Sequence, residues 1–221
     1  MGAPTLTYAQ LKELGPCKGS RERVVKLLGG ARKWGENGVT AAQAKEAGCT
    51  LDDLVWAASA LSRRDKDVER RLRLWMADCA ARVLHIYERT ETSEAPRNAI
   101  IAARQFAHGE IDGAAVAAAG DAAMAAARAA GGDPAGVAAW IDAWDAACAA
   151  AWSAAWDAAG DAEGDPAWAV AMNATGAAAG AAAGDAIGDP AWVPAWAVTG
   201  DPAWDAARAA EEAWQLDRLV A

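Results

Sequence analysis

Histidine occurs only twice in these 221 residues and cysteine only four times, and neither is spaced for chemistry. Cys17, Cys49, Cys79 and Cys148 form no C-x-x-C pair, so no closely spaced zinc site or dithiol motif is written into the chain. His85 follows Cys79 by six positions, a helical spacing that puts the two on opposite sides, and no second ligand pair stands nearby. The G-x-S-x-G, Walker and H-E-x-x-H patterns are all missing. These absences predict a non-enzymatic protein with no metal, no cofactor and no catalytic residues. Unpaired thiols fit a reducing compartment. The opening "MGAPTLTYAQLKELG" lacks the basic start and apolar run of a secretory leader, so the expected location is the cytoplasm of a bacterial host.

Long hydrophobic runs are scarce too. Residues 166–184 carry no charge for 19 positions, but they are mostly Ala and Gly and include Pro166 and Asn173, so no membrane span is expected. Basic residues thin out along the chain. From 114 onward there are three (Arg128, Arg208, Arg218) against fifteen acidic ones, whereas the earlier residues hold eighteen basic and fifteen acidic. A net charge of −9 is a poor match to phosphate backbones, which excludes general nucleic-acid binding and suits a basic protein partner.

The first half is a string of helix start and stop signals. Thr7 precedes "YAQLKEL" with Gly15 after it, Ser20 precedes "RERVVKLL", and Thr40 precedes "AAQAKEA" with Gly48 after it. Thr50 and Asp53 are spaced as a capping box ahead of "LDDLVWAASAL". The longest helix is predicted over 66–89, where Leu72, Trp75, Met76, Cys79, Val83 and Ile86 step by three and four. Pro96 suits the first turn of a following helix that runs to Gly109. No strand alternation competes anywhere, so the expected class is all-α.

From Gly113 the sequence falls into four-residue words. Eight of its nine tryptophans and ten of the eleven glycines from Gly120 onward sit at numbers divisible by four; Trp214 and Gly131 are the exceptions. Packing does not demand this phase, because a strict four-residue stripe drifts about 40° per word around a helix. Duplication of a twelve-base unit does explain it, since Trp, Gly and Arg codons can differ in the first base alone, as can Pro and Ala codons. Within the array, Gly-Asp-Pro reads as punctuation: Gly ends one helix, Asp caps the next and Pro fits its first turn. The triplets at 132–134, 164–166, 188–190 and 200–202 predict helices near 113–130, 134–160, 166–187, 190–199 and 202–219, with Trp rings covering Ala and Gly surfaces of neighbours. The organisation expected is therefore a helical N-terminal region, 1–112, followed by an acidic repeat region, 113–221.

Four side chains stand out as candidates for binding. Asp78 and Arg82 are spaced i, i+4 on the long helix, suited to pair along its side. Arg97 and Arg104 are seven apart on one helical face, placed either to hold an anion or to pair internally with Asp78 or Glu110.

Residues 52–112, through "LRLWMADCAARVL" and "PRNAIIAARQFAHGEI", together with the Ala-rich tail that closes on "EEAWQLDRLVA", resemble the Imm-5-like immunity-protein helical domain. They also resemble a related group of small bacteriophage proteins of unknown function. The resemblance spans roughly residues 50–221. It implies an all-helical protein that acts by binding a protein partner, and it brings no catalytic residues. Three readings follow: a phage or prophage accessory factor that binds a host protein of defence, an immunity protein that neutralises a toxin, and a self-assembling protein whose Trp-rich helices build a homo-oligomer.

Overall fold

The computed structural model describes residues 4–16, 18–34, 37–88, 92–130 and 202–221. Among them the chain is helical apart from one short ribbon, which is the all-α class expected. It forms two compact units, residues 1–72 with 216–221, and residues 73–215. The change of composition near residue 113 is not a boundary between these units. The helices on either side of it pack against each other, so they share one unit.

The first unit is built on a device used twice. Strand β1 (Thr5–Leu6) leads into helix α1 (Tyr8–Glu13), and strand β2 (Val39–Thr40) leads into helix α4 (Ala41–Glu46). The strands pair antiparallel, Thr5 opposite Thr40 and Leu6 opposite Val39. Aligning the two copies gives T-x-A-Q-x-K-E-x-G at Thr7–Gly15 and again at Thr40–Gly48.

Three of the shared letters, Thr, Gln and Gly, define the helix ends. Thr7 Oγ1 accepts from the Gln10 amide at 3.2 Å while Gln10 Oε1 accepts from the Thr7 amide at 2.8 Å. Thr40 and Gln43 repeat the exchange at 3.2 and 2.9 Å. Each box satisfies two amide groups that a helix start leaves orphaned. Each copy then stops at a glycine with positive φ, +70° at Gly15 and +91° at Gly48, a conformation that other residues enter only with strain.

Between the copies lie α2 (Lys18–Leu27) and α3 (Ala31–Trp34). The expected start of α2 at Ser20 is corrected: the helix begins at Lys18. Pro16 has already broken the preceding segment, and a serine is tolerated inside a first turn as well as at its cap. The absence of strands is corrected as well, since two-residue strands are too short to show alternation in sequence. Helix α5 (Leu51–Ser62) starts at the expected Thr50–Asp53 box, with Asp53 Oδ2 accepting from the Thr50 amide at 2.9 Å.

Helix α6 (Lys66–Tyr87) starts at a cap that the sequence reading missed, Asp65, whose Oδ1 accepts from the Asp67 and Val68 amides at 2.9 and 3.3 Å. Leu72, Trp75, Met76 and Cys79, from its predicted stripe, are all at most 3% exposed. The α7 helix (Ala95–Ala107) has Pro96 in its first turn, and α8 (Gly113–Ala130) opens with Asp112 accepting from the Ala115 amide at 2.9 Å. α7 and α8 pack on each other, with Ala99, Ala103, Val116 and Ala123 wholly buried. Small side chains on both helices let the backbones approach closely.

The last helix, α9 (Pro202–Val220), opens at the proline of the fourth Gly-Asp-Pro triplet, where the missing N–H costs nothing. The helices expected over 134–160, 166–187 and 190–199, and the tryptophans they carry, lie outside the described residues.

The glycine stops can be ranked. Gly48→Ala should cost about 1–2 kcal/mol, the strain of an L-residue at positive φ. Gly38→Ala should cost more, because its φ is +73° and its new methyl would lie 2.9 Å from the Leu6 carbonyl carbon and oxygen. Urea unfolding of the two variants tests this, and the reverse order would contradict it.

Candidate binding site

The four candidate side chains all belong to α6 and α7 in the second unit. Asp78 and Arg82 reach to different helices. Arg104 on α7 donates to Asp78 Oδ1 at 2.7 Å. Arg97 on α7 pairs with Glu88, just past the end of α6. The Arg73 guanidinium lies 4.5 Å from the centre of the Phe106 ring. Position 73 meets 106, 78 meets 104 and 88 meets 97, so α6 and α7 run antiparallel with a seam of cations along their contact.

Arg82 points to α9 instead. Its Nε donates to Glu211 Oε2 at 2.8 Å, and its guanidinium stacks 4.6 Å over the Trp214 ring. Two turns closer to the start of α6, Trp75 Nε1 donates to the Gln215 carbonyl at 2.9 Å. These contacts also run antiparallel. The Glu211 side chain is 3% exposed whereas Arg82 is 46% exposed, so a half-open cation covers a buried carboxylate. The planar guanidinium suits both jobs, since it can donate in its plane to the carboxylate and stack on the indole by its face. Glu211, Trp214 and Gln215 were not among the sequence candidates. The available signal was the phase: Trp214 is the one tryptophan of the second half that falls outside the four-residue register.

Three arginines are engaged yet partly open, Arg97 and Arg104 on the α6–α7 seam and Arg82 facing α9, whereas Arg73 of the seam is buried. The side chains of Arg82, Arg97 and Arg104 are 46, 54 and 41% exposed. An incoming carboxylate could share any of them without uncovering a bare charge, because the internal acid stays in place.

The first unit has its own charged corner. Arg23 pairs with Asp53, whose hydrogen bond and charge hold the guanidinium above its ordinary range. The Cys49 thiol next to them is pushed up by burial and then by Asp53, with Arg23 opposing. Cys79 is 1% exposed. His85 is exposed, its Nδ1 2.9 Å from the Arg82 carbonyl oxygen, so it and Cys79 occupy different environments as their spacing requires. Among the described residues no group of three His, Cys, Asp or Glu side chains is placed to hold a metal ion, and no helix is long and apolar enough to cross a membrane.

Residues 60–156 match the model of the family described as Imm-5 like putative immunity protein. The match begins near the end of α5 and takes in α6, α7 and α8, hence all four candidate side chains; Glu211 and Trp214 lie beyond it. It is narrower than the span of roughly 50–221 over which the sequence resembles the family. No curated protein and no solved structure matches the chain.

Two outcomes follow from this geometry. A double-mutant cycle on Arg82→Ala and Glu211→Ala should give a coupling of about 1–2 kcal/mol, because removing Arg82 strands a desolvated carboxylate. The Lys45–Asp217 pair, with side chains 36 and 64% exposed, should couple by less than about 1 kcal/mol. Cys49, raised above the ordinary thiol value, favours the protonated folded state. That contribution is complete below the unfolded thiol pKa and is lost as pH rises through the folded one. Alkylation of native Cys49 at pH 8, followed by mass spectrometry, should be at least about ten-fold slower than in the unfolded chain.

Proposed function

We propose, from the match of residues 60–156 to an immunity-protein family, that this chain is a non-enzymatic binding protein that neutralises a toxin by docking to it. That match is the one observation that carries the reading. The chemistry of the site is compatible with it. Arginines paired to internal acids make a rigid, pre-oriented polar surface, the kind that recognises a partner without ordering long side chains at the moment of binding. The two described cysteines, Cys49 and Cys79, are buried, and burial holds the Cys49 thiol in its protonated, unreactive form. Inhibition by occupancy requires no turnover, only a complex that outlives the encounter.

The reading as a phage or prophage factor draws nothing from the family match, and self-assembly through Trp-rich helices depends on residues outside the described ones. Immunity to a toxin is the narrower claim, with action in the cytoplasm where the toxin would arrive.

On this reading a toxin gene should directly precede this chain's gene, and the test is co-expression with the product of that preceding gene. Cells should survive induction with the intact chain and die with the Arg82→Glu/Arg104→Glu double variant, provided that circular dichroism shows the variant still helical. The purified pair should form a stoichiometric complex. Survival that requires the chain only in catalytic trace amounts would overturn the docking mechanism, and absence of any rescue would overturn the immunity reading.

A further inference from the structure

The first unit is discontinuous in sequence, and this sets an order on how it can close. Residues 1–72 are joined by 216–221, and the whole second unit is synthesised between the two stretches. Much of the first unit needs nothing from the later stretch. The boxes at Thr7, Thr40 and Thr50 draw both partners from within four residues. The ribbon pairs Thr5 with Thr40 and Leu6 with Val39. The first strand–helix copy is covered locally as well. Trp34 is 4% exposed, its ring centre lies 5.9 Å from that of Tyr8, and its Nε1 donates to the Leu6 carbonyl at 2.6 Å.

The second copy is different. Ala41 stands where Tyr8 does, and Ala44 where Leu11 does. Small side chains there leave the space beside Cys49 and Leu54 to be filled by others. Val24, Val39 and Ala41 supply part of the cover, and Leu216, Leu219 and Val220 of α9 supply the rest. The three from α9 are spaced i, i+3 and i+4, on one helical face, and the leucines are larger than the valines and alanine of the early stretch. Under this joint cover Cys49 is 4% exposed and Leu54 7%.

The later contribution is thin. Leu216, Leu219 and Val220 are each only partly buried, whereas Leu72, Met76 and Cys79 of α6 are each 1% exposed. The Lys45–Asp217 pair has side chains 36 and 64% exposed, so water competes for both partners and the pair adds little. A segment with few wholly buried side chains and a solvent-exposed polar tie opens more readily than a core helix.

We propose that residues 216–220 are a closing strap: they seal the cluster of Ala44, Cys49 and Leu54 after the rest of the first unit has formed, and they release it by local opening while the core of α6 stays folded. N-terminal domains generally fold first during synthesis. Here residues 1–72 build their caps and ribbon early but stay unsealed until α9 has been made. Cys49 reports on the strap because it lies in the sealed cluster, and Cys79 serves as the reference because it lies in the α6 core.

The experiment is alkylation of the full-length chain with iodoacetamide at pH 8 across low urea concentrations. Mass spectrometry follows each cysteine separately, and each rate is divided by that of the same cysteine in the unfolded chain. In the unaltered chain the normalised rate of Cys49 should exceed that of Cys79 at least about ten-fold. It should also stay nearly flat in low urea, where that of Cys79 climbs, because local opening exposes little surface. Leu216→Ala/Leu219→Ala should raise the Cys49 rate at least about ten-fold further and leave Cys79 unchanged. Asp217→Ala, on the exposed side of the same turn, should change it by less than about two-fold. Equal normalised rates with equal urea dependence for the two cysteines would overturn the strap, since the chain would then open as one unit. An unchanged Cys49 rate in the leucine variant would overturn it too, because the early stretch alone would then bury the thiol. Should that variant expose both cysteines together, the urea series on the unaltered chain decides.

Discussion

A carboxylate withdrawn from water is tolerated only if something nearby answers its charge. Glu211 is such a group, and Arg82 answers it. The pair fixes α9 to α6 across 129 positions of sequence. Trp214 lies under the guanidinium on one side, and the Trp75 indole holds the Gln215 carbonyl nearby. Without that neutralisation the buried Glu211 carboxylate would be left with its charge unanswered.

The seam between α6 and α7 follows the same logic at lower stakes. Arg104 meets Asp78 and Arg97 meets Glu88, but these arginines are half in water, so their pairs orient side chains more than they stabilise the fold. What remains is a surface of cations already held in place. The first unit is closed by another route: a strand–helix device occurs twice, one copy covered by a neighbouring tryptophan and the other by the far end of the chain.

Much of this was legible before any coordinates. The boxes at Thr7–Gln10, Thr40–Gln43 and Thr50–Asp53 act within four residues, so letter spacing alone reveals them. The buried stripe of α6, the proline starts of α7 and α9 and the all-helical class follow from equally short rules. Other features needed more. The Thr7–Gly15 and Thr40–Gly48 copies are only nine residues long and stand 33 positions apart, so what relates them is the pairing of the strands that precede them. Asp65 escaped notice as a cap because it lies in the charged run "RRDKDVERR", where any acid fits a solvated face.

By itself the sequence determined the helix starts at Thr7, Thr40, Thr50 and Pro96, because capping and stopping are local exchanges of hydrogen bonds between neighbours in the chain. Tertiary structure alone decided which acid each arginine would take. Arg82 could have met any of thirty acidic side chains, and only the docking of α9 brings one of them, already stripped of water, within 2.8 Å. Charge attracts at long range and without preference; burial makes the choice, because it sets the local dielectric and leaves the enclosed carboxylate no partner in solvent.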